Sequence, residues 1–487
     1  MQHVNPFAGL EPQSVWTLFD QITQIPRPSK KEHKIRAWLK EFAGEHDLRY
    51  REDRAGNIVI LKDATQGYDG APGIILQSHM DMVCEKDPGV QIDFDKDPIE
   101  AYVEDGWVKA RGTTLGADCG IGMALQLAVL ADKDLEHPAI EALFTVDEEQ
   151  GLTGAMHIGD DMLTGRKMIN LDSEDEGEIF IGCAGGVDTL ATFKYKPKRV
   201  AQHGYTYHNI IISGLQGGHS GDSIHKGLAN SNKLLARVLR SLMNLADVRL
   251  AHIDGGNLRN AIPRDALATV ALPNRQFQSL IEEFEKNKKD IIAEYSHIEP
   301  DMSIEMESSE YVKYIIGRRK AYRLVAALGA IPNGVIEMSH TMPGLVQTST
   351  NLASVKSSPD GFIVVTTSQR SSIESAKLNI ATDIEDLFLL AGADVIHTDG
   401  YPGWTPNPDS PFVKRADELY QQLFGHTPKI KAIHAGLECG LFLAKYPWLD
   451  IISIGPTLRG EHSPSEKLEI STVSKSWRFL QALLADK

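Results

Sequence analysis

The sequence predicts an α/β fold in which helices surround a mixed sheet, interrupted by an inserted α+β domain. Three observations carry this. From 55 to 185, short apolar runs rich in Val and Ile alternate with helical stretches. From about 187 to 397 the pattern becomes two successive blocks of strand, helix, paired strands and helix. After 398 the first texture returns. Residues 398–487 are therefore expected to complete the sheet begun by 1–186, and 187–397 to form an inserted lid domain of two similar subdomains. The length of 487 residues agrees, since it exceeds what one hydrophobic core usually serves.

Taken in order, residues 14–46 read as two helices, the second opening at Ser29 in SKKEHKIRAWLKEFAGEH, where apolar residues recur at helical spacing. GNIVIL, GIILQSH, AIEALFTV and KMINLD are strand candidates. GIGMALQLAVLAD reads as a helix that is apolar nearly all round, hence buried. Gly182, Gly185 and Gly186 in IGCAGGVDTL are expected to form a hinge. In the insertion, HNIIISGL, VRLAHIDGG and DALATVAL accompany the helices GLANSNKLLARVLRSLM and SLIEEFEKNKKDIIAEY. RRKAYRLVAALGA, NLASVKSS, GFIVVTTSQR and SIESAKLNIATDIEDLFLLAG form the second block. Ser410-Pro411 then starts a helix in the N-cap and N1 pattern, and Gly425 closes it. LDIISIGP is a further buried strand, and KSWRFLQALLAD is a closing amphipathic helix.

Charge narrows the function. Lys plus Arg total 50 against 66 for Asp plus Glu, a net charge of −16. Such a chain lacks the basic footprint that nucleic acids and anionic membranes require. It contains no apolar run long enough to span a bilayer, and MQHVNPFAGLEPQ has no basic segment followed by an apolar one. Cys84, Cys119, Cys183 and Cys439 are widely spaced and form no CxxC pair, which argues against a zinc ribbon or a disulfide framework and suits a reducing compartment. A cytoplasmic location is expected.

The chemistry collects at strand ends. GIILQSH closes on His79, and Asp81 follows two residues later, so both project from the strand's carboxyl end, where open α/β sheets hold their ligands. FTVDEEQG delivers Glu148 and Glu149, INLD delivers Asp172, and ISIGPTLRGEHS delivers His462 on a loop beyond Ile454. Asp118 sits in a glycine-bearing loop, RGTTLGADCGIG, just before the buried helix. His79, Asp118, Glu149, Asp172 and His462 suit two divalent metals: imidazole with carboxylate favours zinc, and the lack of thiolates admits manganese or cobalt. One carboxylate must bridge if the ions lie about 3.5–4 Å apart, and Asp118 is the best placed. Asp81 would then fix the ring of His79. Glu148, beside a ligand and not needed as one, can take a proton from metal-activated water. Singly, each residue has a bland reading as a structural histidine or a solvated acidic turn; their order and shared placement decide against it.

SHMDMV, GADCGIGMA, TVDEEQGLTGA, NLDSED and EHSPSE together resemble the signature series of the co-catalytic zinc peptidases, the family that includes carboxypeptidase G, peptidase T and carnosinase-type enzymes. ISGLQGGHSG, GNLRNAIPR and HAGLECG resemble the branch of that family that cleaves aminoacyl-histidine dipeptides, and the resemblance spans essentially the whole chain. It implies a di-zinc catalytic domain in which His79 and Asp172 bind one metal, Glu149 and His462 the other, and Asp118 bridges, with Asp81 and Glu148 as the catalytic pair. Many relatives carry an acidic residue after the bridging Asp, where this chain has Cys119. By resemblance, His219 in GGHSG is the lid histidine that reaches the scissile carbonyl. Asn260, Arg370 and Gly436 match the clamp for a substrate's C-terminal carboxylate, a task that suits the planar fork of Arg. His203, His208, His225 and His434 are given no role. The implied function is metal-dependent hydrolysis of dipeptides with a free C-terminus, including Xaa-His dipeptides such as carnosine. A tripeptidase or amino-acid deacylase on the same scaffold is the alternative, and a non-catalytic peptide binder is disfavoured because it has no use for Glu148. The expected partner is a small dipeptide, with neither nucleic acid nor membrane, and the resemblance leaves a homodimer open.

Overall fold

The structure, a computed structural model, describes residues 4–200 and 203–486. The chain divides into two compact units. One comprises the residues up to Gly182, Pro406–Ala432 and the residues from Leu437 onward; the other comprises Cys183–Thr405 and Ile433–Gly436.

The first unit is built on an eight-stranded sheet. In spatial order its strands are Arg49–Glu52, Ile58–Lys62, Ile140–Thr145, Ile74–His79, Lys167–Asn170, Asp450–Ser453, Glu178–Cys183 and Lys429–Ile433. The central four run parallel, and the first two pair antiparallel beside them. Ile74–His79 and Ile140–Thr145 are buried at every position, as parallel strands covered on both faces must be. The apolar helix runs from Ala117 to Ala131 and is buried except at Asp118 and Ala131. Ser410 caps the helix Pro411–Phe424 by accepting the N–H groups of Phe412 and Val413, and Gly425 ends it in the left-handed region.

One expected boundary differs. The second helix begins at His33, not at Ser29. Lys30 adopts a left-handed φ of 67°, which breaks any helix through it. The Ser29 hydroxyl is committed elsewhere, donating to Asp81 Oδ2 at 2.7 Å.

The second unit carries a nine-stranded antiparallel sheet. Its main order is Ser303–Ser308, Tyr205–Ser213, Ala266–Pro273, Arg249–Gly255, Val346–Ser358, Phe362–Ser371, Gly185–Lys194 and Asp394–His397, and Gly334–Met338 pairs with Val346–Ser358. The strand Arg249–Gly255 of the first expected block meets Val346–Ser358 of the second through Asp254 with Lys356 and Gly255 with Val355. The two blocks share one hydrophobic cluster, in which Leu235, Leu239 and Val270 join Leu324, Leu352, Val365 and Phe388. The glycines of the expected hinge lie in strands, Gly182 in Glu178–Cys183 and Gly185 and Gly186 at the start of Gly185–Lys194, and the two units divide between Gly182 and Cys183. Gly186 exchanges two backbone hydrogen bonds with Tyr401, at 3.0 and 2.8 Å, which fix its conformation.

Candidate functional site

In the first unit, adjacent parallel strands place the predicted ligands side by side. His79 closes one strand, Glu148 and Glu149 follow the neighbour ending at Thr145, and Asp172 follows the neighbour on the other side, ending at Asn170. His79 Nε2 lies 3.0 Å from Asp118 Oδ1 and 3.3 Å from Asp172 Oδ1. His462 Nε2 lies 3.2 Å from Asp118 Oδ2 and 2.9 Å from Glu149 Oε2. The two oxygens of Asp118 thus face different histidines. His462 holds a left-handed φ of 58°, unusual for a non-glycine residue and typical of functional sites. The peptide bond between Asp118 and Cys119 is cis.

Asp81 ties these loops together. Its Oδ1 lies 3.3 Å from His79 Nδ1. It also accepts the N–H of Glu148 at 3.0 Å and, at Oδ2, the N–H of Glu149 at 3.3 Å. One buried carboxylate therefore orients both a histidine ring and the glutamate pair.

The electrostatics favour bound cations. Burial pushes the Glu148 carboxyl well above its usual range, with Asp172, Glu438 and Glu149 adding to the rise. Glu149 and Asp172 are also raised, first by burial. Burial works against His79, but Asp172, Asp118 and Asp81 raise it well above an ordinary imidazole. Hydrogen bonds that it donates to Asp118 and Glu149 lift His462 to about 11. Burial opposes ionisation of Asp118 too, yet the two histidines hold it far below the usual carboxylate range. Glu149 Oε1 is buried with no hydrogen-bond partner. Crowded carboxyls short of positive charge, an orphaned acceptor and two imidazoles form a donor set that fits divalent metal ions. Cys119 lies close enough to His79 and Asp172 to share such a group. Its thiol instead donates to the Leu171 carbonyl at 3.3 Å, and burial raises it far from thiolate.

Sequence reasoning missed the residues that hold this arrangement in place. The Glu466 carboxylate accepts the N–H groups of Leu115, Gly116, Ala117 and Asp118, at 2.7, 3.0, 2.8 and 3.4 Å. Buried Arg27 donates to the carbonyls of Met80, Asp81 and Gly116, joining the Asp118 loop to the end of the His79 strand. Beneath the candidate ligands, Glu438 Oε2 accepts from Gln77 Nε2 at 2.6 Å and Thr145 Oγ1 at 2.8 Å. Gln77 accepts from Asn170, which accepts from Ser453, so a buried polar row crosses the parallel strands. Position in the EHSPSE motif was the one available signal for Glu466; nothing local marks Arg27 or Glu438.

The second unit gathers the other predicted residues. Gly218–His219 pairs with Ala261–Ile262, and Ser220 N–H donates to the Asn260 carbonyl at 2.8 Å. His219 Nδ1 accepts the N–H groups of Gly221 and Asp222, at 3.3 and 3.2 Å, which leaves the ring proton on Nε2. Burial, then the charge of Arg370, lower its pKa, so the imidazole is neutral at pH 7. Arg370 is buried, its Nε lacks a partner, and its Nη1 donates to the Tyr401 hydroxyl at 2.9 Å. Gly436 packs on the ring of the same tyrosine. His434, given no role from sequence, is buried, makes a 2.7 Å contact with Ser349 Oγ through Nε2, and is lowered to about 3 by burial and Arg370.

Among the described residues, no helix is long and apolar enough to cross a membrane. Comparison with known proteins follows the same lines. The chain is 41% identical over 486 residues, 99% of each sequence, to the cytosol non-specific dipeptidase of Escherichia coli (strain K12). The aminoacylhistidine dipeptidase structure from Vibrio alginolyticus matches with a TM-score of 0.92 and 41% identity, covering 99% of this chain and 98% of that one. A tripeptidase from Staphylococcus aureus shares the fold, with a TM-score of 0.56 and 16% identity over 98% of each chain. Residues 75–486 match the family described as peptidase family M20/M25/M40. With a relative this similar along its whole length, the chain belongs to peptidase family M20/M25/M40.

Proposed function

We propose that this chain is a metal-dependent dipeptidase acting on dipeptides with a free C-terminus, including Xaa-His dipeptides such as carnosine. The names of the Escherichia coli and Vibrio alginolyticus relatives support the substrate class. The observation that carries the reading is Arg370: a buried guanidinium with an orphaned Nε and, among the described residues, a neutral hydroxyl as its one hydrogen-bond partner. A buried cation lacking an anion is costly, and a substrate carboxylate supplies one.

His79 and Asp172 would hold one divalent ion, Glu149 and His462 a second, and Asp118 both, with zinc the first choice and cobalt or manganese also suited. When bound, such a pair supplies Lewis acidity for the scissile carbonyl and lowers the pKa of an attacking water. Glu148 accepts that water's proton and passes it to the leaving amine; burial raises its proton affinity, and the Asp81 contact to its N–H holds its backbone. Asp81 keeps the His79 ring oriented. His219 donates from Nε2 to the developing oxyanion, a role its neutral tautomer allows. Asn260, Arg370 and Gly436 hold the carboxylate. The cytoplasm is the proposed location, in line with four widely spaced cysteines that form no CxxC pair and with the name of the Escherichia coli relative.

The test is a substrate panel run on purified protein beside elemental analysis. A dipeptide should be cleaved well, and its amide should be a poorer substrate by about 2–5 kcal/mol, because the amide leaves Arg370 unpaired. Tripeptides and N-acyl amino acids should be poor. Efficient cleavage of amides or long peptides would replace this reading with a general aminopeptidase.

A further inference from the structure

We propose that Tyr401 is a positioning residue that sets which edge of Arg370 meets the substrate carboxylate, and so sharpens the preference for a free C-terminus. This rests on the carboxylate-clamp reading above. A guanidinium has two faces for bidentate binding: the end, Nη1 with Nη2, and the side, Nε with Nη2. The Tyr401 hydroxyl accepts from Nη1 at 2.9 Å, which commits one of the two nitrogens of the end. Nε is buried and makes no hydrogen bond, which leaves the side edge with an unspent donor. The edge formed by Nε and Nη2 is therefore the one reserved for an anion.

The backbone explains how Tyr401 reaches across. Ser349, Arg370 and Gly186 are directly opposed on three neighbouring strands, and Tyr401 pairs with Gly186 on the far side. Directly opposed residues in antiparallel pairing share a face, so Tyr401 would be screened from Arg370 by any side chain at Gly186. With none there, the ring lies over the glycine: a Cβ added at Gly186 would fall 2.8 Å from three of its atoms, including the hydroxyl oxygen. Gly436 flanks the same ring, where an added Cβ would fall 2.8 Å from Tyr401 Cε2. Lys377 Nζ donates to the Tyr401 carbonyl at 2.7 Å and fixes the backbone. On the other end of the row, Ser349 contacts His434 at 2.7 Å. Arg370 thus sits between neutral side chains, with Tyr401 occupying one nitrogen.

Tyr401→Phe removes the hydroxyl and keeps the ring between its two glycines, so the protein should fold and melt as the wild type does. KM for a free-acid dipeptide should rise about tenfold, the effect of one lost hydrogen bond to a charged group, with kcat little changed. The preference for the acid over its amide should narrow by the same factor. Gly186→Ala, which pushes the ring aside, should narrow it as well. An unchanged KM and an unchanged acid-to-amide ratio in Tyr401→Phe would overturn the inference alone. A variant that loses kcat and thermal stability together, at constant KM, would show a merely structural role and also overturn it. A wild type that cleaves acids and amides alike would remove the clamp reading, and this inference with it.

Discussion

Replacing Glu466 with glutamine should disorganise the loop that carries Asp118. The native carboxylate takes Leu115 and Gly116 N–H on Oε2, and Ala117 and Asp118 N–H on Oε1. An amide keeps one acceptor oxygen. The less costly orientation keeps the Leu115 and Gly116 pair and turns the NH2 group towards the donors of Ala117 and Asp118, one a 2.8 Å bond and the other a long 3.4 Å contact. Two donors lose their acceptor, and Ala117 is fully buried. At about 1–3 kcal/mol for each unsatisfied buried group, discounted for the long contact, the loss is roughly 2–4 kcal/mol. That is a large share of a typical folding free energy and should lower the melting temperature by roughly 2–7 °C. Because the same loop presents Asp118, zinc affinity should also fall by about 10–100-fold, as for other outer partners of metal ligands. Thermal denaturation followed by zinc titration calorimetry reads both effects. Wild-type melting and wild-type zinc affinity in Glu466→Gln would refute the reasoning, since the four N–H contacts would then carry no weight.

Three further outcomes follow from the same geometry. Glu148→Gln should retain its metal by elemental analysis while kcat drops at least about a hundredfold; near-normal turnover would remove Glu148 from proton transfer. His219→Ala should also keep its metal content but lose about 3–4 kcal/mol of transition-state stabilisation, read from kcat/KM, and loss of metal would mark His219 as a ligand instead. Finally, metal-free protein should become less stable as pH rises. Glu438 is raised from 4.5 to about 8, chiefly by burial, and His462 from 6.5 to about 11 by its carboxylate partners. Both groups bind more protons folded than unfolded between those limits, so stability drains away as pH climbs through them. Melting curves of chelator-treated protein between pH 5 and 9 should fall steadily, and zinc should flatten the trend; a rise with pH would contradict the charge balance described for the site.

How much of this was legible in the chain depends on whether the signal was local. Strand ends announce themselves: a β-branched run that stops at His79, at Thr145 before Asp147-Glu148-Glu149, or at Asn170 before Asp172 needs only the period-two pattern and the rule that ligands gather at carboxyl ends. Composition was enough to argue against a nucleic-acid partner, since charge is additive along a chain. The helix Arg318–Ala330 and the capped helix Pro411–Phe424 were equally local and fell where expected. Ser29 shows the limit. Its sequence neighbourhood favours a helix cap, but Asp81, 52 positions away, takes its hydroxyl, and Lys30 turns out of the helix. Gly185 and Gly186 were read for flexibility alone, and the close approach of Tyr401 to Gly186 left no local signal.

The sequence by itself determined the layered α/β class and singled out two histidines and three carboxylates, as candidate ligands, in their order along the strands. It could do so because each depends on side-chain chemistry and short-range periodicity. Only the tertiary structure decided what holds those groups in place. Glu466 lies about 350 positions from the loop it grips, Glu438 reaches Gln77 and Thr145 from the far end of the chain, and Tyr401 meets Arg370 across a glycine. Such contacts leave no periodic trace, because a buried acceptor is chosen by whichever distant backbone or side chain the folded sheet brings within about 3 Å.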